Sequence, residues 1–192
     1  MSSAIMKGAV MDTSTIIILA IVVVLIVGAV AWITMQRRTE ELRKRFGPEY
    51  DRVISERGDA RQAESELAAR QKRVDRFDIH PIAPADRERF IEAWRTTQAR
   101  FVDAPSEAIK DADRLVNEVM RARGYPVGDF EQRAADISVD HPDVLEHYRA
   151  AHTIALANGR GQTNTEDLRQ AMVHYRALFE DLLETREREI AQ

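Results

Sequence analysis

Five histidines, at positions 80, 141, 147, 152 and 174, are the side chains of this 192-residue sequence best suited to metal ligation or proton transfer near neutral pH. There is no cysteine, which removes disulfides, thiolate zinc sites and cysteine nucleophiles together. His147 and His152 stand about 140° apart around a helix of 3.6 residues per turn, so they do not present a ligand pair. Val144 occupies the position three before His147 where a carboxylate–histidine di-iron signature needs glutamate. His174 falls beside charged positions of the last helix, and His80 sits in a proline-containing linker. His152, level with Tyr148 and Leu156, is the one histidine expected to face a core, as a structural imidazole. Nucleophile elbow, P-loop, GxGxxG and kinase signatures are missing. Gly159-Arg160-Gly161 precedes a helix and in principle suits an anion, but it follows a helix rather than a strand and reads as an interhelical loop. No catalytic, cofactor-binding or metal residue is therefore assigned, no cofactor is expected, and no enzymatic activity is expected.

A second polar group is more suggestive of recognition. Asp136, Asp140, His141 and Asp143 surround the apolar Ile137 and Val139 in the segment DISVDHP, which reads as a turn. They form a candidate interaction surface for a protein partner. The competing account is capping: aspartates ahead of Pro142, the first residue of a new helix, complement its dipole by roughly 0.5–2 kcal/mol. An alternative class of function, a small-ligand binder or enzyme, would use a pocket near His152 and Asp136.

The elements that must position these residues are helices. Pro48 opens one expected to run to about Phe77, carrying a narrow stripe of Phe46, Val53, Ala60, Leu67 and Val74 between charged positions and weakened at Gly58-Asp59. That narrow stripe suits a solvated helix touching its own domain along one line better than a zipper. DIHPIAP, Asp78 to Pro84, is a linker or extended arm. Beyond it lie wider stripes: Phe90, Ile91, Trp94, Phe101 and Val102; then, after Ser106 as expected N-cap, Ile109, Ala112, Leu115, Val116, Val119 and Met120 up to Gly124. A short helix from Phe130 to Ile137 follows, then one with Val144, Leu145, Tyr148, Ala151, Ala155 and Leu156 inward, and a last one with Leu168, Met172, Tyr175, Phe179, Leu182 and Leu183. With no alternating strand pattern, the fold class is all-α: an up-down bundle of four to five helices over 84–192, expected to fold on its own from about Asp78.

Everything upstream is anchor and connection. Ile16 to Ile33 is an unbroken apolar run, and a hydrocarbon core of about 30 Å needs roughly 20 helical residues, so 16–35 reads as one transmembrane helix behind a short extracytoplasmic leader, 1–15. Residues 36–83 then form a basic juxtamembrane segment and helical stalk. Arg37, Arg38, Arg43, Lys44 and Arg45 crowd one end of the span while the leader offers Lys7 and Asp12, which puts the N-terminus outside and the rest inside, with the lipid bilayer as a partner. Ala29-Val30-Ala31 also has the form of a signal-peptidase site; the barely basic leader and the arginines just beyond favour the anchor. Charged residues make up 31% of the chain and the formal net charge is −4, which argues against nucleic acid and leaves a protein partner or self-association.

The stretches RFGPEYDR, Arg45 to Arg52, and DFEQRAADISVDHP, Asp129 to Pro142, resemble a family of small uncharacterised bacterial proteins with one N-terminal membrane span and a C-terminal helical domain. The resemblance runs from Arg45 through the last helix. It implies a bacterial plasma-membrane protein and supplies no activity or catalytic residue.

Overall fold

In the computed structural model, residues 13–190 are described. The expected leader, 1–15, lies almost wholly outside them. All regular structure among the described residues is helical, without strands. The chain divides into two compact units, Met1–Glu41 and Leu42–Gln192.

The described part of the first unit belongs to α1 (Thr13–Phe46). Within this helix Ile21–Phe46 is long and apolar enough to cross a membrane, and none of its apolar window is buried. Leu25, Val27 and Trp32 expose more than half of their surface, where an aqueous helix would hide such residues against a core.

The second unit is built from the last turn of α1 together with α2 (Pro48–Arg57), α3 (Ala60–Val74), α4 (Pro84–Asp103), α5 (Pro105–Ala122), α6 (Phe130–Asp140), a 3₁₀ turn (Pro142–Val144), α7 (Leu145–Gly159) and α8 (Thr165–Ile190). Local chemistry sets the starts. Proline opens α2, α4 and α5, where its missing N–H costs nothing and its fixed φ suits the first turn. Asp59 and Asp129 cap α3 and α6 by accepting from the Gln62 and Gln132 amides, each at 2.8 Å. Before α8, Asn164 and Asp167 exchange two 2.9 Å bonds in a reciprocal cap.

Three expectations about elements change. The helix expected from Pro48 to Phe77 is two, because Gly58 takes φ 68° in the left-handed region and Asp59 restarts the chain, so that α3 folds back on α2. DISVDHP is not a turn: α6 continues through Asp140, since Ile137 and Val139 are both buried and helical geometry lets each reach a different core. Ser106 does not cap, and no side chain caps the turn that Pro142 opens. Ala104 holds the position before α5, and the Ser106 hydroxyl instead donates to Asn158 Oδ1 at 2.9 Å.

The larger core is shared by α4, α5, α7 and α8, with α5 packed on α4, α7 and α8, and α7 on α8. Trp94 and Phe179 stack across it with ring centroids 4.7 Å apart. A second core gathers Leu42, Phe46, Tyr50, Val53, Ala63, Leu67 and Val74 against Val139 of α6. The compact unit thus begins at Leu42, whereas the sequence reading placed the domain start at 84 and a stalk before it. The physical reason is that the narrow stripe is buried completely at Phe46 and Leu67, each contributing about 1.5–3 kcal/mol, although Ala60 in the same series is exposed. The arm after α3 is held at α5's end: the His80 amide donates to the Arg123 carbonyl at 3.0 Å. Gly124, at φ 93°, lies so close that a Cβ would stand 2.0 Å from the Asp78 carbonyl oxygen, which leaves room for no other residue.

Candidate functional site

The four residues of the expected surface separate on folding. Asp136 is 1% exposed and bonded to Arg73 of α3 at 3.1 Å and to the Gln132 amide at 2.9 Å, and its Oδ2 is buried without a hydrogen-bond partner. Burial pushes its pKa above the ordinary aspartate value, and Arg73 with Gln132 offsets this only in part. His141 is 4% exposed, with Nδ1 hydrogen-bonded to the Asp181 carboxylate of α8 and its ring at the edge of Tyr125. Both were expected at a surface; the α2–α3 hairpin covers one and α8 the other. Asp140 is exposed, accepting from the Tyr125 hydroxyl at 2.9 Å and from Arg45 at 3.4 Å, and Asp143 is exposed as well. Arg37 and Arg38 are exposed on α1. Of the other expected basic residues, Arg43 pairs with Asp51 at 3.2 Å, Arg45 reaches the Val139 carbonyl at 3.4 Å, and Lys44 is exposed.

The most strongly built polar centre is one that sequence reasoning missed. Glu49, in the first turn of α2, is 2% exposed and takes hydrogen bonds from Arg70 Nη1 of α3 at 2.8 Å and Arg149 Nη2 of α7 at 2.9 Å, with Arg52 at 3.4 Å. Burial alone would push this carboxyl up; the bonds from Arg149 and Arg70 outweigh it and hold its pKa below the ordinary glutamate value. Nothing in the sequence signalled it, since a glutamate after a helix-opening proline is what any first turn prefers.

Around Glu49 the α2–α3 hairpin and the start of α6 leave an open cleft of about 540 Å³. Five guanidinium groups line it, those of Arg52, Arg57, Arg70, Arg73 and Arg149, together with Glu56, Glu66, Asp129 and Glu131. Arg57 and Arg70 are held by Glu66, both at 2.6 Å, and Arg73 by Asp136, so carboxylates orient the donors, Glu66 from the cleft wall itself. A planar guanidinium fixed in this way still has outward N–H groups for carboxylate or carbonyl acceptors. Arginines and carboxylates share its walls, so the cleft offers both hydrogen-bond donors and acceptors. Neither His152 nor Asp136 is among its lining residues.

His152 is half-buried, stacked on Phe130 with centroids 3.6 Å apart, and burial lowers its pKa. It is thus less enclosed than His141. Close by, Arg133 donates to the Tyr148 hydroxyl and Tyr175 donates to Asp113, both at 2.9 Å; burial raises the Tyr148 pKa to about 12. These groups bond one another across α5, α6, α7 and α8, as interior polar groups must. His147 and His174, which the sequence did not pair, meet between α7 and α8 with Nδ1 atoms 2.9 Å apart. A smaller recess of about 370 Å³ between α4 and α8 has Trp94, Phe179, Ile91 and Leu183 on its walls.

Comparison with known proteins yields no matching family, no matching curated protein and no matching solved structure.

Proposed function

We propose that the chain is a single-pass protein of the bacterial plasma membrane, N-terminus out, whose unit from Leu42 onward is a cytoplasmic, non-enzymatic protein-interaction module with its helices α4, α5, α7 and α8 in up-down order. The exposed apolar face of α1 supports the anchor. The observation that carries the interaction reading is the arginine-lined cleft between the α2–α3 hairpin and α6. Arginine is enriched among residues that dominate binding energy, and side chains already held by carboxylates lose less freedom on docking. Arg52, Arg57 and Arg73 keep 34%, 54% and 45% of their side-chain surface exposed, so they are the three best able to meet a partner's carboxylates. A protein segment rather than a small molecule suits an open cleft whose walls are this polar.

The test places a photo-crosslinking residue at Ala69, which is exposed on the cleft wall, and at the 83% exposed Val102 as control, in full-length protein in native membranes. The reading expects a discrete adduct from position 69 that is lost in an Arg52→Ala, Arg57→Ala variant of unchanged helicity. Adducts that are the same from both positions, or insensitive to the arginines, overturn it.

A further inference from the structure

The geometry points to a divalent transition-metal site formed by His147 of α7 and His174 of α8. The two imidazoles face each other through Nδ1 at 2.9 Å, with ring centroids 5.1 Å apart and planes inclined by 36°. Nitrogens each about 2.05 Å from one shared metal stand about 2.9 Å apart at a right angle and about 3.3 Å apart at the tetrahedral angle. With 5.1 Å between centroids the two Nδ1 atoms meet nearly end to end, as in an N–H···N hydrogen bond, so a shared tetrahedral ion needs the nitrogens to part by about 0.4 Å and both rings to turn until their lone pairs converge. Both rings are half-buried at the surface of the helix pair, which leaves an approach for the ion and for its remaining ligands.

Ligand chemistry narrows the metal. Neutral imidazole suits zinc, nickel and copper, whereas magnesium and calcium take oxygen ligands. Among the described residues no third histidine, aspartate or glutamate completes the set. The remaining positions thus belong to water or to another molecule's donor, and the site is open rather than structural. Bound metal would tie the two helices of the α7–α8 pair together, at a point separate from the cleft that carries the proposed function.

Full-length protein in detergent micelles is titrated with zinc chloride and nickel chloride, with magnesium chloride as control, and its thermal unfolding followed. At a hundredfold excess over Kd the zinc or nickel shift expected is about 5–10 °C in Tm, with none for magnesium. His147→Ala and His174→Ala each abolish it, and His80→Ala keeps it. Copper(II) bound to the unaltered chain gives an electron paramagnetic resonance spectrum with hyperfine structure from two equivalent nitrogens, a readout that stands even where a variant folds poorly. No shift at millimolar zinc, an equal shift in all variants, or a one-nitrogen copper spectrum overturns the proposal and leaves an interhelical imidazole hydrogen bond.

Discussion

Glu49 and Asp136 are carboxylates that lie within reach of arginines and out of water, yet their surroundings push them in opposite directions. Glu49 receives bonds from Arg70 and Arg149, and its folded pKa lies below the unfolded value. It therefore contributes stability above the unfolded pKa, and that contribution is lost as pH falls through the folded one. Glu49→Gln should cost about 3 kcal/mol at pH 7 in denaturant unfolding, because the two arginines, 13% and 15% exposed, are left underpaired; a cost below about 1 kcal/mol would count against the clamp. Asp136 has one oxygen without a partner and a folded pKa above the unfolded value, so it binds protons more readily when folded and opposes folding as pH rises through that window. Asp136→Asn should therefore hold or raise Tm at pH 7, and any gain should vanish near pH 3, where the acid is protonated in both states. A substantial loss at neutral pH would show that the Arg73 pair outweighs desolvation. The sequence made the aspartate group visible, since four polar residues around Ile137 and Val139 stand out. Its burial was not visible, because what covers Asp136 comes from α3, and the Glu49 site joins positions 49, 70 and 149, a relation that only tertiary structure creates.

At the scale of elements, the wide stripes of α4, α5, α7 and α8 and their Pro, Gly and Asx boundaries were enough to place those helices, for the buried face of each is several residues across. The α2–α3 hairpin was harder. Its stripe is one residue every two turns and its flanks are charged, a pattern shared by solvated helices and by helices whose flanks pair with each other, as Arg57 does with Glu66 and Arg70 with Glu49. Sequence alone implied an autonomous domain from about Asp78; the second core argues otherwise. Without 42–77, Val139 loses its apolar cover, Arg149 loses Glu49 and Asp136 loses Arg73. A chain beginning at Leu42 should unfold in one cooperative transition, while one beginning at Asp78 should melt at least about 10 °C lower. Equal melting curves for the two would show the hairpin to be an appendage.

For the whole molecule the proposed anchor raises the question of which side of a bilayer each end would occupy. α1 exposes apolar side chains on every face, Leu25 at 65%, Val24 at 69% and Trp32 at 64% among them, an arrangement that is stable only in lipid or against other apolar surface. Length and hydropathy settle that a span is feasible and say nothing of direction, which must come from charge. Arg37, Arg38, Arg43, Lys44 and Arg45 follow the apolar run within a dozen residues, against Lys7 before it, and translocating such a cluster against the membrane potential is costly at about 2.3 kcal/mol per charge per 100 mV. The absence of native cysteine makes the test direct. In spheroplasts, Ser3→Cys should react with a membrane-impermeant maleimide at once, and Ala69→Cys only after permeabilisation. Arg37→Glu with Arg38→Glu should weaken the asymmetry and yield a mixed population. Immediate labelling at position 69 would reverse the topology, and an intact mass lacking the residues up to Ala31 would show that the Ala29-Val30-Ala31 segment is cleaved and that the chain is exported rather than anchored.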